Sequence, residues 1–207
     1  MDRTHRWAQI CYDSHQVSGK SDEHALFGIV QGGAFSDLRD ESALHITGIP
    51  FPGYAIGGLA VGESKAELYQ IAGQVAGRLP QDKPRYLMGV GSPEDLVECV
   101  ARGVDMFDCV LPTRVARNGA LFTRTGRVDI TKRRYADQAK PLDEDCDCYG
   151  CRNFSAAYLW HLFKAKELLA LRLATMHNLR FILRLMKDMR EAILKDRFGD
   201  FQREFWD

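Results

Sequence analysis

The 207-residue sequence has no excess of charge of either sign, with 28 Lys and Arg against 28 Asp and Glu. A chain that coats nucleic acid or an acidic membrane by bulk charge is thereby excluded, although local basic clusters can still bind RNA. Long apolar runs are also missing. No stretch of about eighteen or more apolar residues occurs, so no membrane-spanning helix is expected. The opening MDRTHRWAQICYDSH carries charges where a secretory leader needs an apolar stretch, and a cytoplasmic location is the expectation. Internal repeats and low-complexity tracts are absent. Cysteine is sparse along most of the chain: Cys11, Cys99 and Cys109 are scattered, whereas Cys146, Cys148 and Cys151 crowd together. In a reducing compartment such a cluster reads as metal ligands rather than disulfides.

What is present is a hydrophobic content of 45%, enough for a sizeable core. Four short apolar runs recur at 25–31 (ALFGIVQ), 53–57 (GYAIG), 85–89 (RYLMG) and 104–110 (VDMFDCV), each followed by a helical pattern. Successive strand–helix units of this kind predict an α/β fold with parallel strands buried on both faces. The repeat favours a (β/α)8 TIM-type barrel, with an open doubly wound sheet as the alternative. Four units are too few to close an eight-stranded barrel, and the first helical stretch starts without a cap, so a C-terminal half-barrel is expected. The helix after the third run has Ser92 as its cap, Pro93 in its first turn and Asp95 placed to complete a capping box. Residues 1–140 read as partial barrel and 141–207 as a zinc-binding and helical subdomain. Within 111–140 eight basic residues, Arg114 and Arg117 among them, face only Asp129 and Asp137. Two long helices are predicted at about 153–173 and 176–196 from the apolar period.

The CDCYGC cluster places three thiols on one tight turn, with Gly150 supplying backbone freedom. A structural zinc ion wants a fourth ligand, for which His161 and His177 are candidates. His177, read as first-turn after a Thr175 cap, returns beside the cluster in an antiparallel helix pair, and Cys146, Cys148, Cys151 and His177 are the expected set. Free cysteines in an acidic loop are the alternative. At the strand ends stand Gln31-Gly32-Gly33, Gly57-Gly58-Leu59, Met88-Gly89 and Asp108. Glycines there let a flat ligand approach the backbone, and Gln31 offers both donor and acceptor to a purine edge.

The motifs GIVQGG (28–33), YAIGGLAVGE (54–63), YLMGVG (86–91), GVDMFDCVLPTR with RNG (103–119) and the CDCxxC cluster with its later histidine resemble the bacterial tRNA-guanine transglycosylase family over essentially the whole chain. The resemblance implies exchange of the wobble guanine of tRNA for the aminomethyl-deazaguanine precursor of queuosine. Asp108 would be the carboxylate nucleophile, supported by Tyr86. Gln31, Gly58 and Leu59 would contact the base, with Met88 stacking on it and Gly89 leaving room for the ribose. Arg114 and Arg117 would meet the anticodon loop. One structural Zn2+ per chain is implied. Val61 would limit the pocket, and Phe154, Tyr158 and His161, spaced along one helical face, would form a homodimer contact. The family's general acid/base aspartate and a second base-reading aspartate have no counterparts here, so the 207 residues alone are expected to be inactive and to need an N-terminal-half partner. A non-catalytic zinc- and tRNA-binding subunit of the same fold, and an unrelated zinc-stapled module, are the rival readings.

Overall fold

A computed structural model describes residues 1–20 and 23–206. The chain forms two compact units, Met1–Cys109 and Val110–Asp207. Residues 111–140, read from the sequence with the barrel part, fall in the second unit because α5 (Leu111–Arg117) and β5 (Ala120–Thr123) pack on the long helix α8 (Leu168–Leu194).

The first unit is mixed α/β. After α1 (Asp2–Val17) come β1 (Gly28–Val30), α2 (Ser36–Thr47), β2 (Tyr54–Ile56), α3 (Lys65–Ala76), β3 (Arg85–Met88), α4 (Pro93–Val100) and β4 (Met106–Asp108). The strands pair in parallel in sequence order, with Val30 beside Ile56 and Met88 beside Asp108. Val30, Ile56 and Leu87 from the sheet pack with Ala43 and Ile46 of α2 and Ile71, Ala72 and Val75 of α3 in one core. The expectation of strands buried on both faces holds for β2 alone: Tyr86, Met88, Met106 and Asp108, on the face of β3 and β4 turned from the helices, are half-buried or exposed.

The cap at α4 differs from expectation. Ser92 Oγ accepts the Asp95 N–H at 3.2 Å, yet the Asp95 carboxylate turns away to accept from the Tyr69 hydroxyl at 2.7 Å and to pair with Lys65. Aspartate is one methylene shorter than the glutamate of a reciprocal box, and this buried carboxylate finds stronger partners on α3. The reciprocal box forms instead at α3, between Ser64 and Glu67.

In the second unit β5 and β6 (Gly126–Asp129) make an antiparallel hairpin, followed by α6 (Tyr149–Asn153), α7 (Ala156–Lys164), α8 and α9 (Phe198–Trp206). The two predicted long helices are corrected here: α7 ends at Lys164, and Thr175 lies inside α8 rather than capping it. Lys166 takes a left-handed φ of 57°, its N–H donating to Phe163 O at 3.2 Å while the Glu167 N–H donates to Leu162 O at 2.9 Å. That is a Schellman stop built without glycine. Asp196 repeats it at the end of α8. No helix among the described residues is long and apolar enough to cross a membrane.

Candidate active site and metal centre

The C-terminal ends of the parallel strands carry the polar groups of the first unit. Side chains two residues apart on a strand share a face, so Tyr86 and Met88 of β3 lie on the face that Asp108 occupies on neighbouring β4. The Tyr86 hydroxyl donates to Asp108 Oδ1 at 2.6 Å, and the Gly89 N–H donates to the same oxygen at 3.1 Å. These two bonds hold the Asp108 carboxyl below its usual range, and the Tyr86 phenol is correspondingly pushed up to about 12. Asp108 is exposed, ionised at neutral pH, and Oδ2 receives no hydrogen bond from another described residue. Gly89 has φ 79°, and a side chain there would meet only Ala60 Cβ, at 3.8 Å.

Gln31 follows β1, its N–H bound to Ser42 Oγ at 3.1 Å. Its side-chain amide lies across the β2 end: a Cβ at Gly57 would stand 2.6 Å from Gln31 Nε2, and one at Gly58 2.7 Å from Gln31 Oε1. Glycine at 57 and 58 therefore makes room for the Gln31 amide, which stands over the backbone that the sequence left open for a ligand. Leu59 is buried in the core, so any ligand meets its backbone. Met88 is half-buried and Val61 is 82% exposed.

Two residues to which the sequence reading assigns no role shape this end of the sheet. Arg39 of α2 is fully buried and donates to carbonyls at both strand ends. Its signal is its spacing, since it shares a helical face with Ala43 and Ile46. Glu63 accepts the Ala60 and Val61 N–H groups, Ala60 itself standing at φ 61°. Burial raises the Glu63 carboxyl, and the surrounding amide hydrogen bonds outweigh it, leaving a net lowering.

In the second unit Arg114 and Arg117 of α5 are exposed and, among the described residues, have no carboxylate partner. Other basic residues of this stretch are engaged. Lys132 pairs with Asp129 at 3.5 Å, and Arg133 and Arg134 lie over the rings of Trp160 and Tyr135.

Cys146, Cys148, Cys151 and His177 converge, their ligand atoms all within 4.8 Å of one another. Cys148 caps α6, its Sγ accepting the Cys151 N–H at 3.3 Å. Gly150 is helical rather than left-handed, and a Cβ there would meet Cys148 Sγ at an ordinary 3.6 Å, so the turn does not depend on it. His177 sits in the third turn of α8, not the first. His161, the other candidate, is an exposed residue of α7 outside the cluster. The three sulfurs lie 3.6, 3.6 and 3.4 Å from His177 Nδ1. A tetrahedral zinc with bonds of about 2.3 Å to sulfur and 2.0–2.1 Å to nitrogen requires an S···N separation of about 3.6 Å. The set fits a metal. His177 Nε2 is 2.7 Å from Phe122 O, and because a carbonyl only accepts, Nε2 carries the proton and Nδ1 is free to ligate. Asn178 takes the same residue's N–H at 3.0 Å. The turn is clamped to α8 by Arg180, which donates to both Asp147 oxygens at 2.5 and 2.7 Å. Hydrogen bonds from the Cys146 and Cys151 thiols pull Cys148 down, and the same crowding pushes Cys151 up.

Phe154 lies in extended backbone (φ −137°, ψ 145°) between α6 and α7, so only Tyr158 and His161 share the expected helical face. The Phe154 ring stacks on Tyr158 at 5.1 Å and packs partly into the second core, while Tyr158 is 38% exposed and His161 is exposed.

A family model described as queuine tRNA-ribosyltransferase matches residues 1–207. Queuine tRNA-ribosyltransferases from Staphylococcus aureus strains JH9, Mu50 and N315 are each 54% identical to the chain over 207 residues, covering 100% of it and 54% of their own length. The chain thus spans about half the length of the curated relatives it matches.

Proposed function

The chain belongs to the queuine tRNA-ribosyltransferase family, and from that premise we propose that it carries the nucleophile, the base-reading strand ends and the metal site of a tRNA-guanine transglycosylase. The sheet is part of a (β/α)8 barrel, a reading supported by strand order that follows the sequence without the reversal a doubly wound sheet requires. The observation that carries the activity is Asp108 itself, a carboxylate ionised by Tyr86 and Gly89 through one oxygen and with the other open.

Asp108 Oδ2 attacks the anomeric carbon of the wobble guanosine. The new C–O bond forms as the glycosidic C–N bond breaks, and its electron pair leaves with guanine, which takes a proton from a donor outside these residues. A ring nitrogen of the aminomethyl-deazaguanine base then attacks the anomeric carbon as the C–O bond to Asp108 breaks, its proton passing to the acid/base group outside these residues. The result is retention by two inversions, the logic of a retaining glycosidase. The nucleotide must first be turned out of its stack. Gln31 and the Gly58–Leu59 backbone read the base edge, Met88 stacks on its face, Gly89 leaves space for the ribose, and Val61 bounds the pocket. Arg114 and Arg117 meet the anticodon loop, an assignment supported by their unpaired charge. Cys146, Cys148, Cys151 and His177 hold one zinc ion. With all four positions filled by protein, it supplies structure and no open site for chemistry. Phe154, Tyr158 and His161 contribute to a homodimer contact, and the protein works in the cytoplasm. The ionised Asp108 and free Arg114 and Arg117 count against a non-catalytic subunit.

The test is covalent capture. A polypeptide of the relatives' full length, mixed with a tRNA bearing wobble guanine and denatured, should run as a protein–RNA adduct. An adduct that persists in Asp108→Asn would refute the assignment.

A further inference from the structure

Arg39 has 0% of its surface exposed, and its guanidinium donates only to backbone carbonyls. Nε reaches Gly33 O at 2.8 Å, Nη1 reaches Val30 O at 3.3 Å and Gly57 O at 2.7 Å, and Nη2 reaches Gly58 O at 3.2 Å. No carboxylate among the described residues pairs with it. Burial disfavours the charge, and the Glu63 carboxylate favours it without forming an ion pair. A buried cation whose hydrogen bonds all go to carbonyl dipoles is costly, and an apolar side chain of similar volume would fill the space at less expense. What an apolar side chain cannot do is bind two separate strand ends at once. The planar fork of the guanidinium does so here, joining the segment after β1 to the segment after β2. Gly32 lets the turn close on this residue: it stands at φ 142°, and a Cβ there would lie 2.9 Å from the Arg39 backbone nitrogen and 3.1 Å from Arg39 Cδ.

The two segments Arg39 joins are those that carry Gln31 and Gly58. In a trans peptide the carbonyl and the following N–H point in opposite directions. With the Gly57 and Gly58 carbonyls turned inward to the guanidinium, the N–H groups of Gly58 and Leu59 are turned outward, as two consecutive donors. The Gln31 amide lies against the same two glycines. We propose that Arg39 is a positioning residue for the base: it fixes the peptide planes at 57–59 and the 30–33 turn, so that two backbone donors and the Gln31 amide are aimed together at an acceptor-bearing purine edge. It touches neither base nor ribose. The proposal rests on the reading of Gln31, Gly58 and Leu59 as the base contacts.

The experiment uses the full-length polypeptide and the exchange of labelled guanine into tRNA. Arg39→Met keeps the approximate volume and removes all the bonds. Arg39→Lys keeps the charge, but a single ammonium cannot span both strand ends. Thermal midpoint and metal content are measured on each variant, and KM is measured separately for guanine and for tRNA. The expected result is a guanine KM raised about tenfold or more in Arg39→Met and less in Arg39→Lys. The tRNA KM should stay within about twofold. A folded variant with an unchanged guanine KM overturns the proposal, as does a parallel rise of both KM values. If neither variant folds, the residue serves stability alone and the proposal fails. Failure of the underlying reading looks different: unsubstituted protein would show no saturable use of guanine, before any change at Arg39 is made.

Discussion

The Tyr86 hydroxyl and Asp108 share a 2.6 Å hydrogen bond across neighbouring strands, and it falls on the same carboxylate oxygen that the Gly89 N–H binds. One oxygen is thus occupied by the scaffold and the other is left for chemistry. Asp108→Asn keeps the shape and removes the attacking charge, so adduct formation should vanish while tRNA binding is retained, as read by denaturing gel and by filter binding.

Tyr86→Phe tests the electrostatics. The folded-state carboxyl is depressed by this hydrogen bond, so the ionised form persists to lower pH than in an ordinary aspartate, and activity is lost only as pH falls through the depressed value. Without the hydroxyl, the acid limb of kcat/KM should move to higher pH. An unmoved limb would show that Tyr86 does not tune the nucleophile.

Loss of the metal should be a folding event. Cys148→Ala, or a strong chelator, should remove one zinc per chain and melt α6 together with the packing of the hairpin on α8, because an ion held by these four residues would tie the turn to that helix. Metal analysis alongside circular dichroism checks this. Full helicity and an unchanged thermal midpoint after complete metal removal would contradict it.

Arg114→Ala and Arg117→Ala should each weaken tRNA binding without altering the guanine KM. The slope of log K against log salt should fall by about 0.7 for each phosphate of a single-stranded loop that the protein no longer neutralises. Titration of tRNA at three salt concentrations measures it.

Thiol labelling should separate the scattered cysteines. Cys11 is exposed and should react quickly, whereas Cys99 is fully buried, with burial pushing its thiol up to about 12, and should react only on unfolding. Mass spectrometry after brief alkylation at neutral pH reads both. Rapid native labelling of Cys99 would mean that α4 opens far more readily than its packing indicates.

Much of this site is legible in the sequence because its information is local. Strand runs closed by glycine, the CDCxxC spacing and the Asp108 motif each sit within a few residues of one another. What escapes depends on partners distant in sequence or on conformations that residue type disguises. Lys166 and Asp196 end helices in a left-handed backbone that glycine would have announced. Without it at 166, the apolar period runs on past Lys164 to the predicted end at 173, whereas the end predicted at 196 falls close to Leu194. Asp95 satisfies a local pattern but is claimed by Tyr69 and Lys65, some 26 and 30 residues earlier. Arg39 looks like a surface charge because its acceptors are carbonyls, which leave no trace in a sequence.

His177 and Asn178, consecutive on α8, hold the Phe122 carbonyl and N–H respectively, so Phe122 turns both backbone polar groups away from β6. A fourth thiolate at position 177 would satisfy a zinc ion as well as an imidazole does. It would also leave a carbonyl in the hairpin's interior without a donor, because sulfur offers the metal one atom and nothing behind it. The choice of imidazole over thiolate is therefore dictated by the strand on the far side of the ring rather than by the metal.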